Sequence, residues 1–386
     1  MSWRGCCEKN QLVTLGKHID ILSGCAFPSS GFNRNNGVPL IRIRDILSGK
    51  TETYYEGSYD LKYLIKKGDL LVGMDGDFNR EYWKGTDALL NQRVCKITPN
   101  PETLDKNFLY HFLQKELDKI HATTDVVTVK HLSVKKIQDI KIRLPSLKEQ
   151  KRIAAILDKA DAIRQKREQA IKLADDFLRA KFLEMFGTPA NNIHRFPKGT
   201  IRDLVDSVNY GTSAKASIDS GEYPILRMGN ITYQGRWDFT DLKYLDLSVK
   251  EKDKYLVKEG DLLFNRTNSK ELVGKTAVYE EDRPMAFAGY LIRVRPNSIG
   301  NNYYISGYLN SIHGKITLMN MCKSIVGMAN INAQELQNIE ILIPPKHLQD
   351  EYEIIYKKIK KGLSIYDKSA MQLQLLASNL SNKYFM

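Results

Sequence analysis

The 386-residue sequence predicts an α/β chain of α+β character: two similar mixed-sheet domains separated by two long α-helices that pair as a coiled coil. Three observations predict it. Residues 146–186 carry one unbroken helical pattern, a second such pattern ends the chain, and the segments before each helix repeat one another. The expected order is domain, rod, domain, rod, with boundaries at 1–145, 146–187, 188–344 and 345–386. A chain of this length exceeds one ordinary core and suits two.

In the first domain the segments are short, β-branched and punctuated by Gly, Asn, Asp and Pro, the composition of strands and turns. Strands are expected at 39–44, 69–72, 92–97 and 140–145, with one amphipathic helix at 106–120. The first rod follows. Ile153, Ile156, Ala160, Ile171, Ala174, Leu178 and Met185 fall on one helical stripe with charges between them. Ser146 and Glu149 have capping-box spacing, and Gly187, Thr188 and Pro189 supply a glycine C-cap and a breaker. At about 1.5 Å per residue the rod is on the order of 60 Å long. Filling one globular core requires nothing so long.

The second domain restates the first. Val-Pro-Leu-Ile-Arg at 38–42 returns as Tyr-Pro-Ile-Leu-Arg at 223–227, and Gly-Asp-Leu-Leu at 68–71 returns at 260–263. Residues 132–137 and 140–145 return at 331–336 and 339–344, at an offset that grows because the second copy has longer loops. Strands are expected at 261–264, 276–279 and 291–295, and a helix at 302–313. In the last rod Tyr352, Ile355, Ile359, Ala370, Leu373, Ala377 and Tyr384 repeat the first stripe at one fixed offset. From Leu363 the stripe approaches a heptad seam through Tyr366, Ala370, Leu373, Ala377, Leu380 and Tyr384. Gly362 is a soft spot, costing about 1 kcal/mol against alanine. Two rods with apolar stripes should pack on each other.

Fifty-eight basic against 45 acidic residues give a net charge of +13, and the excess is spread over both halves. A polyanion contacted at two places fits such a distribution. The loops after the two Gly-Asp-Leu-Leu strands, Gly73 to Arg80 and Asn265 to Lys270, differ most between the copies. Both are rich in side chains that make paired hydrogen bonds to base edges: Arg to guanine, Asn to adenine, carboxylate to cytosine. A repeated scaffold with unlike polar loops suits two unlike half-sites.

Other classes lack their motifs. Gly274-Lys275-Thr276 has Ser269 where a phosphate loop needs its first glycine, and it reads as a strand entering a turn. No GxGxxG follows a strand, no Asn-Pro-Pro or Asp-Pro-Pro appears, and no nuclease pattern stands out. Asp75-Gly76-Asp77 reads as a solvated turn rather than a magnesium site. Cys6 and Cys7 are adjacent while Cys25, Cys95 and Cys322 are isolated, so free thiols and no metal site are expected. No stretch approaches eighteen apolar residues and the first ten residues lack a signal core, so a cytoplasmic, non-membrane protein is expected. The chain reads as a non-catalytic binder that lends specificity to chemistry done elsewhere.

Leu144-Pro145-Ser146-Leu147-Lys148-Glu149-Gln150, continuing through Ile153-Ala154-Ala155-Ile156-Leu157-Asp158, closely resembles the start of the long helix in specificity (S) subunits of type I restriction-modification systems. The Gly-Asp-Leu-Leu strands and residues 223–231 resemble that family's target-recognition domains, and the resemblance spans essentially the whole chain. The second rod departs from it: Pro344-Pro345-Lys346-His347-Leu348-Gln349-Asp350 lacks the Glu-Gln pair, and its seam is rich in tyrosine. The resemblance implies that each recognition domain reads one half of a bipartite, asymmetric DNA target, with the rods antiparallel as a spacer. It implies that modification subunits, which bind S-adenosylmethionine and methylate adenine, clasp the rods. Restriction subunits using ATP and magnesium would join them, and no cofactor is expected on this chain.

On that basis the candidate base contacts are Asn79 and Arg80 in the first domain and Arg266, Thr267 and Asn268 in the second. Lys130, His131, Lys323 and Ser324, which precede the repeated 132 and 331 segments, join them. Arg42, Arg44 and Arg227 are equally suited to phosphate clamps or ion pairs of the fold. The alternatives are the specificity module of a different DNA-modifying enzyme and a coiled-coil scaffold that meets only proteins.

Overall fold

The repeated strand segments form equivalent sheets in the two halves of the chain, whose computed structural model describes residues 11–124, 130–325 and 328–385. The chain divides into two units: Met1–Lys166 with Lys368–Met386, and Arg167–Asp367.

In the first unit Leu70–Gly73, buried at all four residues, lies between Val94–Pro99 and Arg80–Tyr82. Ile19–Ser23 completes this antiparallel four-stranded sheet. A second sheet orders Phe32–Asn33, Tyr54–Tyr55, Val38–Ile41, Ala88–Leu90 and Leu64–Ile65, with Val38–Ile41 parallel to Ala88–Leu90. Helix α1 (Lys106–Ala122) starts at Asp105, whose carboxylate accepts from the Asn107 and Phe108 amides. Its face of Phe108, Leu109, Phe112, Leu113 and Leu117 shares a core with Leu70, Val72 and Ile97. Short α2 (Val134–Gln138), capped by Ser133, leads to Lys141–Leu144, which pairs with Gln11–Thr14. The long helix α3 (Leu147–Phe186) follows.

The second unit has the same plan. Val205–Tyr210, Leu291–Pro296, Leu262–Asn265 and Thr276–Val278 make its antiparallel sheet. The second sheet is Lys243–Leu245, Tyr223–Leu226, Met285–Phe287 and Leu256–Val257, again with one parallel pair, Tyr223–Leu226 with Met285–Phe287. Helix α4 (Val249–Tyr255) precedes Leu256–Val257; α5 (Asn302–Asn310) and α6 (Ile312–Met321) stand where the first unit has α1. Helix α7 (Ala333–Gln337) is capped by Asn332 as α2 is by Ser133, and α8 (Lys346–Phe385) ends the chain.

The rods carry the ends and faces the sequence predicts. The Ser146 hydroxyl accepts from the Glu149 amide at 3.4 Å, and Gly187 leaves α3 with φ +67° while its amide bonds to the Leu183 carbonyl. None of the seven predicted stripe residues of α3 is exposed. In the first unit Ile153, Ala154 and Leu157, near the start of α3, share a core with Phe385 at the end of α8, whose ring lies 5.2 Å from Phe108 and 5.6 Å from Phe112. In the second unit Phe182 and Phe186, at the end of α3, pack on Tyr352 near the start of α8 and on Tyr304. Each unit joins opposite ends of the two helices. Of the α8 seam, Leu363 is buried and Leu373 and Ala377 are half-buried; the side chains of Tyr366, Ala370, Leu380 and Tyr384 lie outside the described residues.

Two elements differ from expectation. The strand predicted at 39–44 ends at Ile41, because the Asp45 carboxylate accepts from the Arg42 amide at 2.9 Å and winds Ile43–Asp45 into a 3₁₀ turn. The helix predicted at 302–313 breaks at Ser311, whose backbone is extended and whose hydroxyl caps a new helix by accepting from the Gly314 amide at 3.1 Å. A side chain at Gly314 would strike the Tyr308 carbonyl, so only glycine permits this corner.

Candidate nucleic-acid interface

In the first unit the loop after Leu70–Gly73 is closed by the Gly73 amide bonding to the Asn79 carbonyl at 2.8 Å. Inside it Phe78 takes φ +49°, a conformation unusual for a bulky residue, and its ring is fully buried, edge-on to His121. Burial of that ring offsets the backbone strain. Met74 fastens three segments together: its amide bonds to the Arg93 carbonyl at 2.9 Å, and its carbonyl accepts from the Leu132 amide at 2.7 Å. The Gly76 amide bonds in turn to the Lys130 carbonyl at 3.1 Å.

This frame brings Asp75, Arg93 and His131 together. The buried Asp75 carboxylate meets His131 Nδ1 with Oδ1 at 2.6 Å and accepts from Arg93 Nη1 with Oδ2. The side chains of His131 and Arg93 stay 67% and 59% exposed. The other candidates point elsewhere. Lys130 Nζ donates to the His121 carbonyl at 2.6 Å, in the last turn of α1 where the helix dipole favours a cation. The Arg80 guanidinium lies 3.4 Å from the centre of the Tyr110 ring, which stacks on Tyr82 at 4.6 Å. Burial pushes both phenols up, so they stay neutral beneath the guanidinium. Asn79 is half-buried at the return of the loop.

The second unit repeats the frame with different side chains. The Arg266 amide bonds to the Tyr290 carbonyl at 3.0 Å, and its carbonyl accepts from the Ile331 amide at 2.9 Å. Arg266, Thr267, Tyr290 and Asn330 thus occupy the backbone positions of Met74, Asp75, Arg93 and His131. Thr267 Oγ1 donates to Asn330 Oδ1 at 3.0 Å, while the Arg266 guanidinium lies 4.9 Å from the Tyr210 ring and donates from Nη1 to the Gly289 carbonyl at 3.4 Å. The Asn268 side chain accepts from the Ser269 amide at 2.9 Å. Thr267–Asn268 pairs with Met328–Asn330, which pairs with Lys323–Ile325, so four sequence candidates meet in one ribbon. The side chains of Lys323 and Ser324 lie outside the described residues.

Arg42 and Arg44 flank Ile43, which packs against Gly73 at the mouth of the first loop; both arginines are exposed, and Arg44 Nε is 3.8 Å from Asp45. Arg227 forms an ion pair of the fold, donating from Nη2 to the Asp241 carboxylate at 2.7 Å and to its carbonyl at 3.0 Å. Lys275, the lysine of the false phosphate motif, donates to the Met228 carbonyl at 2.9 Å, and burial pushes its pKa down. Among the described residues no group of three or more His, Cys, Asp and Glu side chains could hold a metal, and no helix is long and apolar enough to cross a membrane.

The family described as type I restriction modification DNA specificity domain matches residues 8–173 and 196–377, one copy to each repeat. The chain belongs to the type I restriction-modification specificity subunits. It is 30% identical over 401 residues to the EcoBI specificity subunit of Escherichia coli, covering 96% of this chain and 82% of that one. Identity to the EcoKI specificity subunit of Escherichia coli strain K12 is 23% over 377 residues, covering 90% and 80%. The crystal structure of the type I S subunit from M. genitalium shares the fold, with a TM-score of 0.65 at 15% identity over 100% of this chain and 99% of that one.

Specificity subunits are a non-catalytic family, and this one presents two recognition domains. Two features of its loops escaped the sequence. Arg93 sits at the entrance of a strand whose pattern is that of any strand, and only the Met74 cross-link carries it to His131. Tyr290 and Tyr210 lie outside the strands the sequence predicts, and they are 54% and 42% exposed beside Arg266. The one available signal was position: Arg93 and Tyr290 both immediately precede the strand that pairs with a Gly-Asp-Leu-Leu strand.

Proposed function

We propose that this specificity subunit reads a bipartite, asymmetric DNA target, one half through each recognition domain, with α3 and α8 setting the gap between the halves and receiving methyltransferase subunits. The carrying observation is the shared frame: the same main-chain cross-links hold Met74, Asp75, Arg93 and His131 in one unit and Arg266, Thr267, Tyr290 and Asn330 in the other. One scaffold with two sets of polar side chains supports two unlike readings of base edges. The helices also have a surface for docking. Leu173 and Phe177, one turn apart on α3, are 60% and 49% exposed, which suits an apolar partner surface. S-adenosylmethionine would belong to the methyltransferase subunits, and ATP and magnesium to restriction subunits.

Selection from a pool of randomised duplex DNA with the full chain tests this reading. The expected product is two unlike specified blocks at a constant gap, with affinity falling steeply as salt rises, because lysine and arginine contacts to phosphate release counterions. A pool returning no enrichment, or one block alone, would overturn it.

A further inference from the structure

In the first unit a buried carboxylate holds two exposed side chains of complementary hydrogen-bonding character. Asp75 is 9% exposed and uses one oxygen for each neighbour: Oδ1 for His131 Nδ1, Oδ2 for Arg93 Nη1. Resting on the reading that this unit recognises a DNA half-site, we propose that Arg93 and His131 are its base-reading pair and Asp75 their positioning residue. Arg93 takes guanine, and His131 takes the exocyclic amine of cytosine or adenine.

The chemistry follows from which atoms Asp75 leaves free. With Nη1 held, Arg93 keeps Nε and Nη2, which have no hydrogen-bond partner among the described residues and form the fork that matches guanine O6 and N7. With Nδ1 engaged by the Asp75 carboxylate, His131 has Nε2 left for a base; in the Nδ1–H tautomer that nitrogen accepts, and the donors presented in the major groove are the amines of cytosine and adenine. Long surface side chains lose rotamer freedom when they bind; fixing them beforehand removes much of that cost. The loop is built for this. Phe78 accepts a left-handed backbone with its ring buried, and Met74 ties the loop to the residues that carry Arg93 and His131. At the same positions the second unit has Thr267, Tyr290 and Asn330, a set without a cation, so the two domains prefer different bases.

The test is selection from randomised duplex DNA with the full chain and its Arg93→Lys, Arg93→Ala, His131→Ala and Asp75→Asn variants. Arg93→Ala is expected to lose guanine preference at one position of one half-site, lowering discrimination there roughly 10- to 100-fold, while Arg93→Lys, which can still donate to guanine O6 and N7 but without the fork, should keep a weakened preference. Lysine keeps the charge without the fork, so overall affinity should fall less in Arg93→Lys than in Arg93→Ala. Asp75→Asn should weaken preference at the Arg93 and His131 positions together and leave the other positions of that half-site unchanged, whereas collapse of the loop would degrade the whole half-site. An unaltered second half-site in the same selections reports an intact fold. Retained guanine preference in Arg93→Ala, or a uniform affinity loss with unchanged preferences, overturns the inference. A wild-type chain that selects no bipartite sequence overturns instead the reading on which it rests.

Discussion

Arg80, Lys130 and Arg227 show that a basic residue in a polar loop is defined by its neighbours: one lies on Tyr110, one caps α1, and one pairs with Asp241. Arg266 is the candidate arginine of the second unit's loop. It touches Tyr210 and the Gly289 carbonyl, while its Nε is buried without a hydrogen-bond partner. Replacing Arg266 with alanine should relax base preference in one half-site by about 1 to 3 kcal/mol, read by competition between single-base variants of the target. Lys315 gives a pH prediction. Its Nζ is buried without a hydrogen-bond partner, 5.0 Å from the centre of the Tyr233 ring, and burial, helped by Arg179 and Lys275, pushes its pKa down to about 8. A folded pKa below the unfolded value means that the unfolded chain binds more protons between them, so stability should rise from pH 8 towards 10.5. Lys315→Met should raise the melting temperature at pH 7, by about 1 to 2 kcal/mol in stability, and remove that rise.

At the scale of elements, the start of each long helix is locked by a glutamine. Gln150 is 1% exposed; its Nε2 donates to the Pro145 and Thr103 carbonyls at 2.9 and 3.0 Å, and its Oε1 accepts from the Asp105 amide at 2.8 Å. Gln349, fully buried, donates in the same way to the Pro344 and Ile299 carbonyls. Its Oε1 has no partner. The second rod therefore departs from the Glu-Gln motif only at Leu348; the glutamine that ties strand end, helix start and domain loop is kept. Gln150→Leu leaves three partly buried backbone groups unpaired and should cost about 2 to 4 kcal/mol, while Gln349→Leu, which strands two, should cost less. Denaturant unfolding of the two variants would settle the order, and equal costs would contradict it.

For the whole molecule, each unit combines its domain with opposite ends of α3 and α8. On the proposed reading the helices act as a ruler, since the gap on a duplex follows the separation of the readers and one helical turn of DNA is about 34 Å. Inserting one helical turn of residues between Arg164 and Gln169, matched by an insertion in α8, should change the gap between the selected half-sites or abolish binding. Methylome sequencing of a host carrying the variant with its modification partner would read the change; an unchanged gap would refute the ruler.

The architecture was legible in the sequence because it rests on local and periodic signals. Rod ends followed from Ser146, Glu149 and Gly187, the buried stripe from spacing, and the repeat from matched text such as Gly-Asp-Leu-Leu. Membership of the specificity family was legible for the same reason. The failures were also local: a single side chain, Asp45 or Ser311, redirected the backbone where propensity predicted continuation. The composition of the recognition loops was legible too, but not which side chains face outward. That was decided by tertiary hydrogen bonds between segments far apart in the chain, Met74 to Arg93 and Leu132, and Arg266 to Tyr290 and Ile331. Periodicity reports what an element buries against its neighbours; it carries no information about which distant residue will satisfy a loop's amides and carboxylates.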